Sequence, residues 1–323
     1  MAVYTEVPDD ALESFVADYD IGSLTSCKGI AEGVENSNYL LTTDRGRYIL
    51  TLYEKRVAKG DLPFFLGLME HLAGAGLSCP TPLRDRGGAM LRELAGKPAA
   101  LVTFLEGLSL KRPQVRHCAG LGGALAELHR AGADFRLQRP NSLSLPGWHE
   151  LAAKLGPDAD TVSPGLHRLI ETELAALDAR WPTTLPAGVI HADLFPNNVF
   201  FMGDRLSGLI DFYFACNDFL AYDVVVCLCA WCFEDDGSFN ITKGQGLLTA
   251  YMAARPLTRD ELTAVPLLAR GAALRFLLTR TYDWLHTPQS ALVKRLDPTE
   301  YIRKLRFLQK VSRVSELGLE GAA

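Results

Sequence analysis

The chain has 323 residues, of which 48% are hydrophobic, and its formal net charge is -5 at pH 7. This length and apolar content allow a large buried core and two domains. The acidic balance argues against a nucleic-acid partner, since nucleic-acid-binding proteins usually display a basic face. The sequence has neither an uncharged apolar run of about 18 residues nor a basic, apolar leader. We therefore expect a cytoplasmic protein that does not bind membranes.

The first hundred residues alternate short strand-like runs with turns. Residues 38–42 and 47–53 predict two strands joined by a turn. Residues 61–76 place apolar side chains at four-residue spacing between a proline and two glycines, which predicts an amphipathic helix. Residues 90–94 and 99–107 predict two further strands. The N-terminal part is therefore predicted to be a strand-rich lobe with one helix.

Helical periodicity dominates after Gly107. Residues 115–130 place Cys118, Leu121, Leu125 and Leu128 on one side of a helix that only the Gly122–Gly123 pair interrupts. Further helices are predicted at residues 148–155, 164–180, 218–233, 241–254, 258–286 and 298–314. The predicted fold is α+β, with a small antiparallel-sheet lobe at residues 1–106 and a larger, mainly helical lobe at residues 107–323.

The seven cysteines are an odd number and unevenly spaced. This usage is typical of reduced thiols in the cytoplasm rather than of a disulfide framework. Cys227, Cys229 and Cys232 lie in the apolar run VVVCLCAWCF, where a zinc site would need a fourth ligand that the nearby sequence does not supply. We therefore predict that these three thiols are buried and structural.

The segment HADLFPNN, residues 191–198, groups polar side chains between two apolar runs. Pro196 and its neighbouring asparagine favour a loop. The residues that follow predict a hairpin, with strands at 199–202 and 206–210. The return of this hairpin brings Asp211 beside the loop that holds Asp193 and Asn198.

Phosphoryl transfer from ATP requires positioning and charge neutralisation more than covalent chemistry. An aspartate beside the acceptor hydroxyl orients it and takes its proton, a role that suits Asp193. Asn198 and Asp211 are hard oxygen ligands for Mg²⁺, and His191 would orient the loop by hydrogen bonding. The alternative is a polar turn whose side chains cap backbone groups around a buried histidine. The joint pattern is rarer than such a turn and favours the catalytic interpretation.

The stretch HADLFPNNVF…GLIDF resembles the catalytic and metal-binding segments of the aminoglycoside phosphotransferase and choline kinase superfamily, relatives of the protein kinases. LGGALAELHR (121–130) resembles the helix before the catalytic loop, and DFLAYDVVV resembles the helix start after the metal aspartate, where Asp223 would be structural. VTFLEG resembles the hinge whose backbone meets adenine, which implies contacts at Thr103 and Leu105. The resemblance implies a protein-kinase-like bilobal fold that uses ATP and Mg²⁺.

Five further segments resemble the bacterial homoserine kinases of this superfamily. They are GVENSNYLLTT (33–43), RYILTLYE (47–54), DLPFFLGLMEHL (61–72), WCFEDDGSFN (231–240) and LRFLLTRTYDW (274–284). The resemblance implies that the acceptor is the side-chain hydroxyl of L-homoserine and that the products are O-phospho-L-homoserine and ADP, in threonine synthesis. Composition and spacing alone indicate only a small-molecule kinase.

The phosphate-binding side departs from the kinase pattern, because the strand position that commonly holds a lysine has Thr51. Lys55 shares a strand face with Thr51 and is a candidate replacement, with a solvated strand-end charge as the alternative. Residues 29–38 are predicted to form a loop over the phosphates, with Gly33, Asn36 and Ser37 as nucleotide contacts. An ordinary hairpin loop is the alternative.

An amino-acid acceptor needs an arginine for its carboxylate and an acid for its ammonium group. The candidate substrate residues are Arg275, Arg280 and Trp231, with Asp193 at the hydroxyl, although Arg280 and Asp283 could pair with each other. The alternative functions are a kinase of the same fold for choline, a methylthio-sugar or an aminoglycoside, and a non-catalytic nucleotide-binding module. The sequence makes no prediction about oligomeric state.

Overall fold

A computed structural model describes residues 4–30, 36–54, 57–287 and 295–319. The first lobe contains α1 (Asp9–Ala17), β1 (Leu24–Gly29), β2 (Ser37–Thr43), β3 (Gly46–Leu52), α2 (Leu62–Gly74), β4 (Arg92–Leu94) and β5 (Lys97–Thr103). The five strands form one antiparallel sheet in the order β1-β2-β3-β5-β4. The predicted sheet lobe is therefore present.

The two faces of this sheet belong to two different cores, because successive side chains of a strand point to opposite faces. Leu50 and Leu101 pack with residues of α1 in one core. Ala100 and Val102 belong to the other core, which contains α2 and the helices of the second lobe. The sequence predicted one helix in this lobe, and α1 is a second one. Its apolar stripe is short, since Leu12, Phe15 and Val16 are its only buried residues.

The second lobe consists mainly of helices. It contains β6 (Leu108–Ser109), α3 (Val115–Ala131), α4 (Leu145–Leu155), α5 (Leu166–Asp178), β7 (Ala187–Ile190), β8 (Val199–Met202), β9 (Arg205–Leu209), β10 (Cys216–Phe219), α6 (Leu220–Trp231), α7 (Ile241–Ala254), α8 (Arg259–His286) and α9 (Thr299–Leu308). β6, β8 and β9 form one small sheet, and β7 pairs with β10. The α+β bilobal fold predicted from the sequence is confirmed.

Two predicted helices include residues that belong to other elements in the structure. The helix predicted at residues 218–233 begins at Leu220, because residues 216–219 form β10 against β7. The helix predicted at residues 298–314 ends at Leu308. Beyond it, the Glu316 carboxylate accepts hydrogen bonds from the backbone amides of Ser312 and Arg313. These amides therefore belong to a new turn.

The predicted lobe boundary at residues 106–107 lies between β5 and β6. β5 ends in the first sheet, whereas β6 pairs with β8 of the second. Gly107 has a φ of +139°, and a Cβ there would lie 2.3 Å from Ser207 Oγ. The crossing between the two sheets therefore needs glycine at this position.

The long helix α8 lies in the middle of the second lobe. By length and composition it is apolar enough to cross a membrane, but 67% of its apolar stretch is buried inside the protein. It packs against α4, α5, α6 and α9. Burial against neighbouring helices therefore explains its apolar composition.

All seven cysteines are free thiols, and six of them are buried. Only Cys27 is exposed. Cys227, Cys229 and Cys232 are all buried near the C-terminal end of α6. The prediction that these three are buried is confirmed.

The paired glycines of α3 do not interrupt the helix, which runs through them. A Cβ on Gly122 would lie 2.2 Å from the backbone oxygen of Leu247 in α7, whereas a Cβ on Gly123 would meet no described atom within 4 Å. We expect Gly122→Ala to lower the free energy of unfolding by about 1–3 kcal/mol, because the two helices must move apart. The adjacent Gly123→Ala is the matched control and should raise it by roughly 0.5–1 kcal/mol. Urea unfolding measures both changes, and equal effects at the two positions would contradict the proposed close approach.

Candidate active site

The loop that carries the HADLFPNN segment begins with a tight turn after β7. Ala192 has a φ of +64°, in the left-handed region. The buried Asp223 carboxylate of α6 accepts the backbone amides of both His191, at 2.7 Å, and Ala192, at 2.8 Å. His129 Nε2 of α3 lies 3.2 Å from the same carboxylate. The turn is therefore held in its left-handed conformation by α6 and α3 together.

The ring of His191 connects the loop to the end of the hairpin. Its Nε2 lies 3.0 Å from the carbonyl oxygen of Ile210 and therefore donates to it, while its Nδ1 accepts the backbone amide of Asp193 at 3.3 Å. Burial lowers the pKa of His191 to about 4, against the opposing effect of the Asp223 charge. At neutral pH the ring is uncharged, with its one hydrogen on Nε2. His191 therefore orients the loop and carries no charge.

The low pKa of His191 makes stability depend on pH. Because the folded-state pKa of about 4 lies below the ordinary value of 6.5, the unfolded chain binds the extra proton between these two values. The stabilisation is present above pH 6.5 and is lost as the pH falls toward 4. We expect this one group to cost on the order of 2 kcal/mol between pH 7 and pH 5.

Urea unfolding of the wild type and His191→Gln at pH 7 and pH 5 measures this contribution. The variant loses the two hydrogen bonds of the ring at both pH values, so only the difference between them reports the titration. That difference should shrink by about 2 kcal/mol in the variant. His149→Gln, which removes a half-exposed histidine of α4, tests whether any lost histidine has the same effect. An unchanged difference in His191→Gln would contradict the assignment of the low pKa.

Asp193 and Asn198 contact each other across the loop. The Asn198 amide donates to the Asp193 carbonyl at 2.8 Å and to its carboxylate Oδ2 at 3.2 Å. The Asp193 side chain is 19% exposed. The Asn198 Oδ1, the atom suited to a cation, accepts a hydrogen bond from the Asn197 amide at 3.0 Å and keeps a second lone pair. Asn198 thus fixes one carboxylate oxygen of Asp193, whose side chain remains partly exposed.

The hairpin β8–β9 returns the chain to this loop. Val199 pairs with Leu209, and the Ile210 amide donates to the Asn198 carbonyl at 3.0 Å. Asp211 follows directly, exposed and with a φ of +67°. The structure therefore brings the segments of Asp193, Asn198 and Asp211 together at the ends of β7 and the hairpin.

The loop at residues 191–198 is called the catalytic loop below, after the role that the sequence predicts for it. Arg275 and Trp231, two of the predicted substrate residues, contact its backbone. The buried Arg275 guanidinium of α8 donates to the Ala192 carbonyl, and its Nη2 lies 3.9 Å from Asp193 Oδ1. The indole of Trp231 donates to the Leu194 carbonyl at 2.7 Å. The side chains of Arg275 in α8 and Trp231 in α6 therefore hold the loop backbone in position.

Arg280, the third predicted substrate residue, lies further along α8. Its Nη1 is 2.6 Å from the Glu300 carboxylate of α9, and Glu300 also pairs with Lys304 at 2.5 Å. Glu300 and Lys304 line a cavity of about 1000 Å³ together with Pro196 of the catalytic loop. These two residues were not predicted from the sequence, because their relation to Arg280 spans two helices.

The predicted nucleotide contacts on β2 are used within the first lobe. The Ser37 hydroxyl donates to the Glu54 carboxylate at 2.8 Å and accepts the Tyr4 and Thr5 amides. The Asn36 side chain accepts the Glu54 amide at 3.3 Å. Asn36 and Ser37 are both buried and fix the end of β3. Gly33 and Lys55, the other two predicted phosphate contacts, lie outside the described residues.

Two tyrosines connect the lobes beside Asp211, and the sequence analysis did not single them out. The hydroxyls of Tyr53, at the end of β3, and Tyr213 lie 3.2 Å apart. The Tyr213 ring also packs edge-on against Phe65 of α2, with centroids 5.7 Å apart. The buried Thr51, at the usual lysine position, donates to Asn38 at 2.8 Å. The two adjacent aromatic residues directly after Asp211, Phe212 and Tyr213, are the sequence feature that could have indicated this contact.

The predicted hinge at residues 102–107 has unused backbone groups. The amide and side-chain oxygen of Thr103 both bond to Thr81. Neither the amide nor the carbonyl of Leu105 has a hydrogen-bond partner in the described part of the chain. Arg47 stacks on Phe104 at 4.3 Å and pairs with Glu106. The Leu105 backbone is thus available to a planar hydrogen-bonding ligand.

The metal ligands that the sequence predicts fit a phosphate-bound cation rather than a protein cage. No group of three or more His, Cys, Asp or Glu side chains that could hold a metal occurs among residues 4–30, 36–54, 57–287 and 295–319. Mg²⁺ in kinases takes one or two protein oxygens and completes its shell with phosphates and water. One amide oxygen and one carboxylate, on Asn198 and Asp211, match this requirement.

Sequence similarity to known proteins extends over nearly the whole chain. The model of the phosphotransferase enzyme family matches residues 26–257. A homoserine kinase of Xanthobacter autotrophicus is 63% identical over 319 residues, with 99% of each chain covered. A homoserine kinase of Paramagnetospirillum magneticum is 61% identical over 326 residues, covering 99% of this chain and 100% of that protein.

Solved structures with little sequence similarity share the fold. Amicoumacin kinase hAmiN, in complex with AMP-PNP and Ca²⁺, has a TM-score of 0.70 at 13% identity and covers 95% of this chain and 94% of its own. Choline kinase from Cryptosporidium parvum has a TM-score of 0.64 at 18% identity, with 88% of both chains covered. The protein-kinase-like architecture is thereby confirmed. The chain belongs to the phosphotransferase enzyme family and, within it, to the homoserine kinases.

Proposed function

We propose that this chain transfers the γ-phosphoryl group of ATP to the side-chain hydroxyl of L-homoserine, forming O-phospho-L-homoserine and ADP for threonine synthesis. Similarity to proteins named homoserine kinase along the full chain supports the acceptor. The observation that carries the chemistry is the contact of Asp193 with Asn198 in a loop whose backbone bonds to the residue before Asp211. We also propose that the protein is located in the cytoplasm.

Asp193 is proposed to orient the acceptor hydroxyl and take its proton. Asn198 fixes one carboxylate oxygen of Asp193, and Arg275 holds the loop carbonyl before it. A base held in one rotamer contacts the hydroxyl without reorganisation. Such positioning is the main contribution of the protein to phosphoryl transfer. His191 acts only through the loop, because it stays neutral.

Asn198 and Asp211 are proposed to hold Mg²⁺ with the nucleotide phosphates. The cation would neutralise the charge of the transferring group and align it with the hydroxyl. The adenine is proposed to bind at the hinge through the free Leu105 backbone, between lobes of residues 1–106 and 107–323. Gly33 and Lys55 remain predicted phosphate contacts, and Thr103 supports the hinge through Thr81.

A coupled ADP-release assay tests the acceptor. It compares L-homoserine with L-serine, choline, methylthioribose and kanamycin, each with MgATP. We expect kcat/KM for L-homoserine to exceed the values for choline, methylthioribose and kanamycin by at least about 100-fold, since a site that pairs both charged groups loses several kcal/mol without them. L-serine keeps both charged groups but lacks one methylene, so its value should be lower by about 10- to 200-fold. A clear preference for choline, methylthioribose or kanamycin would instead support a kinase of the same fold for that acceptor. Absence of turnover with all five would support a nucleotide-binding module.

A further inference from the structure

An ion triad lies at the end of α8 and the start of α9. The Glu300 carboxylate lies 2.6 Å from Arg280 Nη1 and 2.5 Å from Lys304 Nζ. The acid is 39% exposed, whereas the side chains of Arg280 and Lys304 are 11% and 5% exposed. Lys304 also donates to the Cys229 carbonyl at 2.8 Å. The acid is therefore the accessible member, held by two cations that are nearly buried.

The charges of the triad are unequal. Two cations face one anion, and burying an uncompensated charge is costly. A guanidinium has five N–H donors, of which Glu300 occupies one at Nη1. A carboxylate that reached the triad would therefore meet two cations, one of which has further N–H donors.

Two members of the triad, Glu300 and Lys304, share a pocket with the catalytic loop. The cavity of about 1000 Å³ is lined by Pro196 of that loop and by Glu300 and Lys304. Phe276, four residues before Arg280 and thus about 6 Å along the helix axis, packs on Phe195 of the loop with centroids 4.8 Å apart. An acceptor of a few atoms therefore spans the distance between the triad and the loop.

Tyr301 packs against both cations of the triad and against α8. Its ring lies under Arg280 at 4.5 Å and under Lys304 at 4.6 Å, and it packs on Phe276 at 5.3 Å. Its buried hydroxyl has no hydrogen-bond partner in the described ranges. The ring therefore helps to hold both cations in place.

We propose that the Arg280–Glu300–Lys304 triad binds the amino-acid end of the acceptor, with Glu300 receiving the α-ammonium group and the two cations receiving the α-carboxylate. This inference rests on the proposed function and names the residues that read the substrate. In this arrangement Arg280 and Lys304 each lie between two anions, Glu300 and the α-carboxylate, and the α-ammonium group contacts Glu300. Its side-chain hydroxyl would then extend toward Asp193.

The same arrangement disfavours cationic acceptors. Choline has no carboxylate to meet Arg280 and Lys304, and an aminoglycoside would bring several positive charges against them. Two of the other acids that line the pocket pair with cations, whereas Asp236 and Asp297 accept hydrogen bonds from Ser238 and Thr299. Glu234 lies 2.7 Å from Lys243, and Asp235 lies 3.6 Å from Arg112.

The test is a binding and kinetic comparison of the wild type, Glu300→Gln and Arg280→Met, all as full chains. Calorimetry with the non-hydrolysable analogue AMP-PNP and Mg²⁺ present measures the Kd of three compounds: L-homoserine, 4-hydroxybutyrate, which lacks the ammonium group, and homoserinol, which lacks the carboxylate. We expect Glu300→Gln to weaken L-homoserine binding about 10- to 100-fold and to leave 4-hydroxybutyrate within about 2-fold. Arg280→Met should weaken L-homoserine similarly and leave homoserinol nearly unchanged.

Each outcome bears on one claim. If the wild type does not bind L-homoserine, the proposed function fails and the acceptor reading fails with it. If the wild type binds it and both variants bind it equally well, the triad assignment alone is wrong. Equal losses for L-homoserine and the analogue that lacks the matching charge would show a general structural defect and would also overturn the assignment.

Two controls address folding. Arg306→Met removes an exposed cation of the same helix that does not line the pocket, and it should leave all three Kd values within about 2-fold. Glu300→Asp keeps the charge on a shorter side chain and should lose less affinity than Glu300→Gln. If Glu300→Gln does not fold, Glu300→Asp decides. Wild-type affinity for L-homoserine in that variant would contradict the proposal, because the shortened acid reaches one partner fewer.

Discussion

Asp193→Asn is expected to lower kcat about 10²- to 10⁴-fold, the range that a positioned general base contributes. The KM for ATP should stay within about 3-fold of the wild-type value. The acceptor hydroxyl would lose the group that takes its proton, while the nucleotide contacts lie elsewhere. Steady-state kinetics with MgATP and L-homoserine measure both parameters, and binding of AMP-PNP checks that the nucleotide site survives.

The substitution is suited to this question because the local structure tolerates it. The Asn198 amide donates to one side-chain oxygen of Asp193 and to its backbone carbonyl, and an asparagine at 193 keeps both acceptors. Arg275 Nη2, 3.9 Å from the carboxylate, retains its bond to Ala192. The variant therefore changes the charge and basicity of one atom group and little else.

A matched control is Asp134→Asn, which removes an exposed acid of the same lobe and should leave kcat unchanged. Asp193→Asn with wild-type kcat would exclude Asp193 as the base. A large rise in the KM for ATP at constant kcat would instead place the residue at the nucleotide.

The hairpin that carries the site was predictable because its signals are local. A polar turn at residues 203–205 separates two apolar runs, and β8 has the predicted bounds Val199–Met202. Helix α2 was predictable for the same reason, since its apolar spacing and end signals lie within 13 residues. Local periodicity and turn chemistry are properties of neighbouring residues, so one sequence contains them.

The interaction partners of charged and polar side chains were not predictable, because the two residues of each pair lie far apart in the chain. The acid beside Arg280 is Glu300, at a separation of 20 residues on another helix. Ser37, predicted to meet phosphates, bonds to Glu54, and Trp231 and Arg275, predicted to meet substrate, bond to loop carbonyls. Tertiary packing decides which of several available partners a polar group takes, and neither composition nor spacing records it.

Asp211→Asn is expected to reduce kcat/KM for ATP at fixed Mg²⁺ by roughly 100- to 1000-fold, because a bound cation supplies several kcal/mol to phosphoryl transfer. An amide oxygen at this position still reaches the cation but lacks the negative charge that offsets the cost of dehydrating it. The variant should therefore need a higher Mg²⁺ concentration for half-maximal rate, and saturating Mg²⁺ should restore part of the activity. A titration of rate against Mg²⁺ at saturating acceptor separates this from a simple loss of kcat.

Asp204→Asn is the matched control, since Asp204 lies in the turn at the other end of the same hairpin and pairs with Arg116 at 2.8 Å. It should leave the Mg²⁺ requirement unchanged. Asp211 has a φ of +67°, a conformation that asparagine adopts more readily than most residues, so backbone strain does not explain a loss of activity in Asp211→Asn. A wild-type Mg²⁺ requirement in that variant would mean that the cation is held by Asn198 and the phosphates without Asp211. The order of loop, hairpin and acid would then serve the fold of this segment rather than its chemistry.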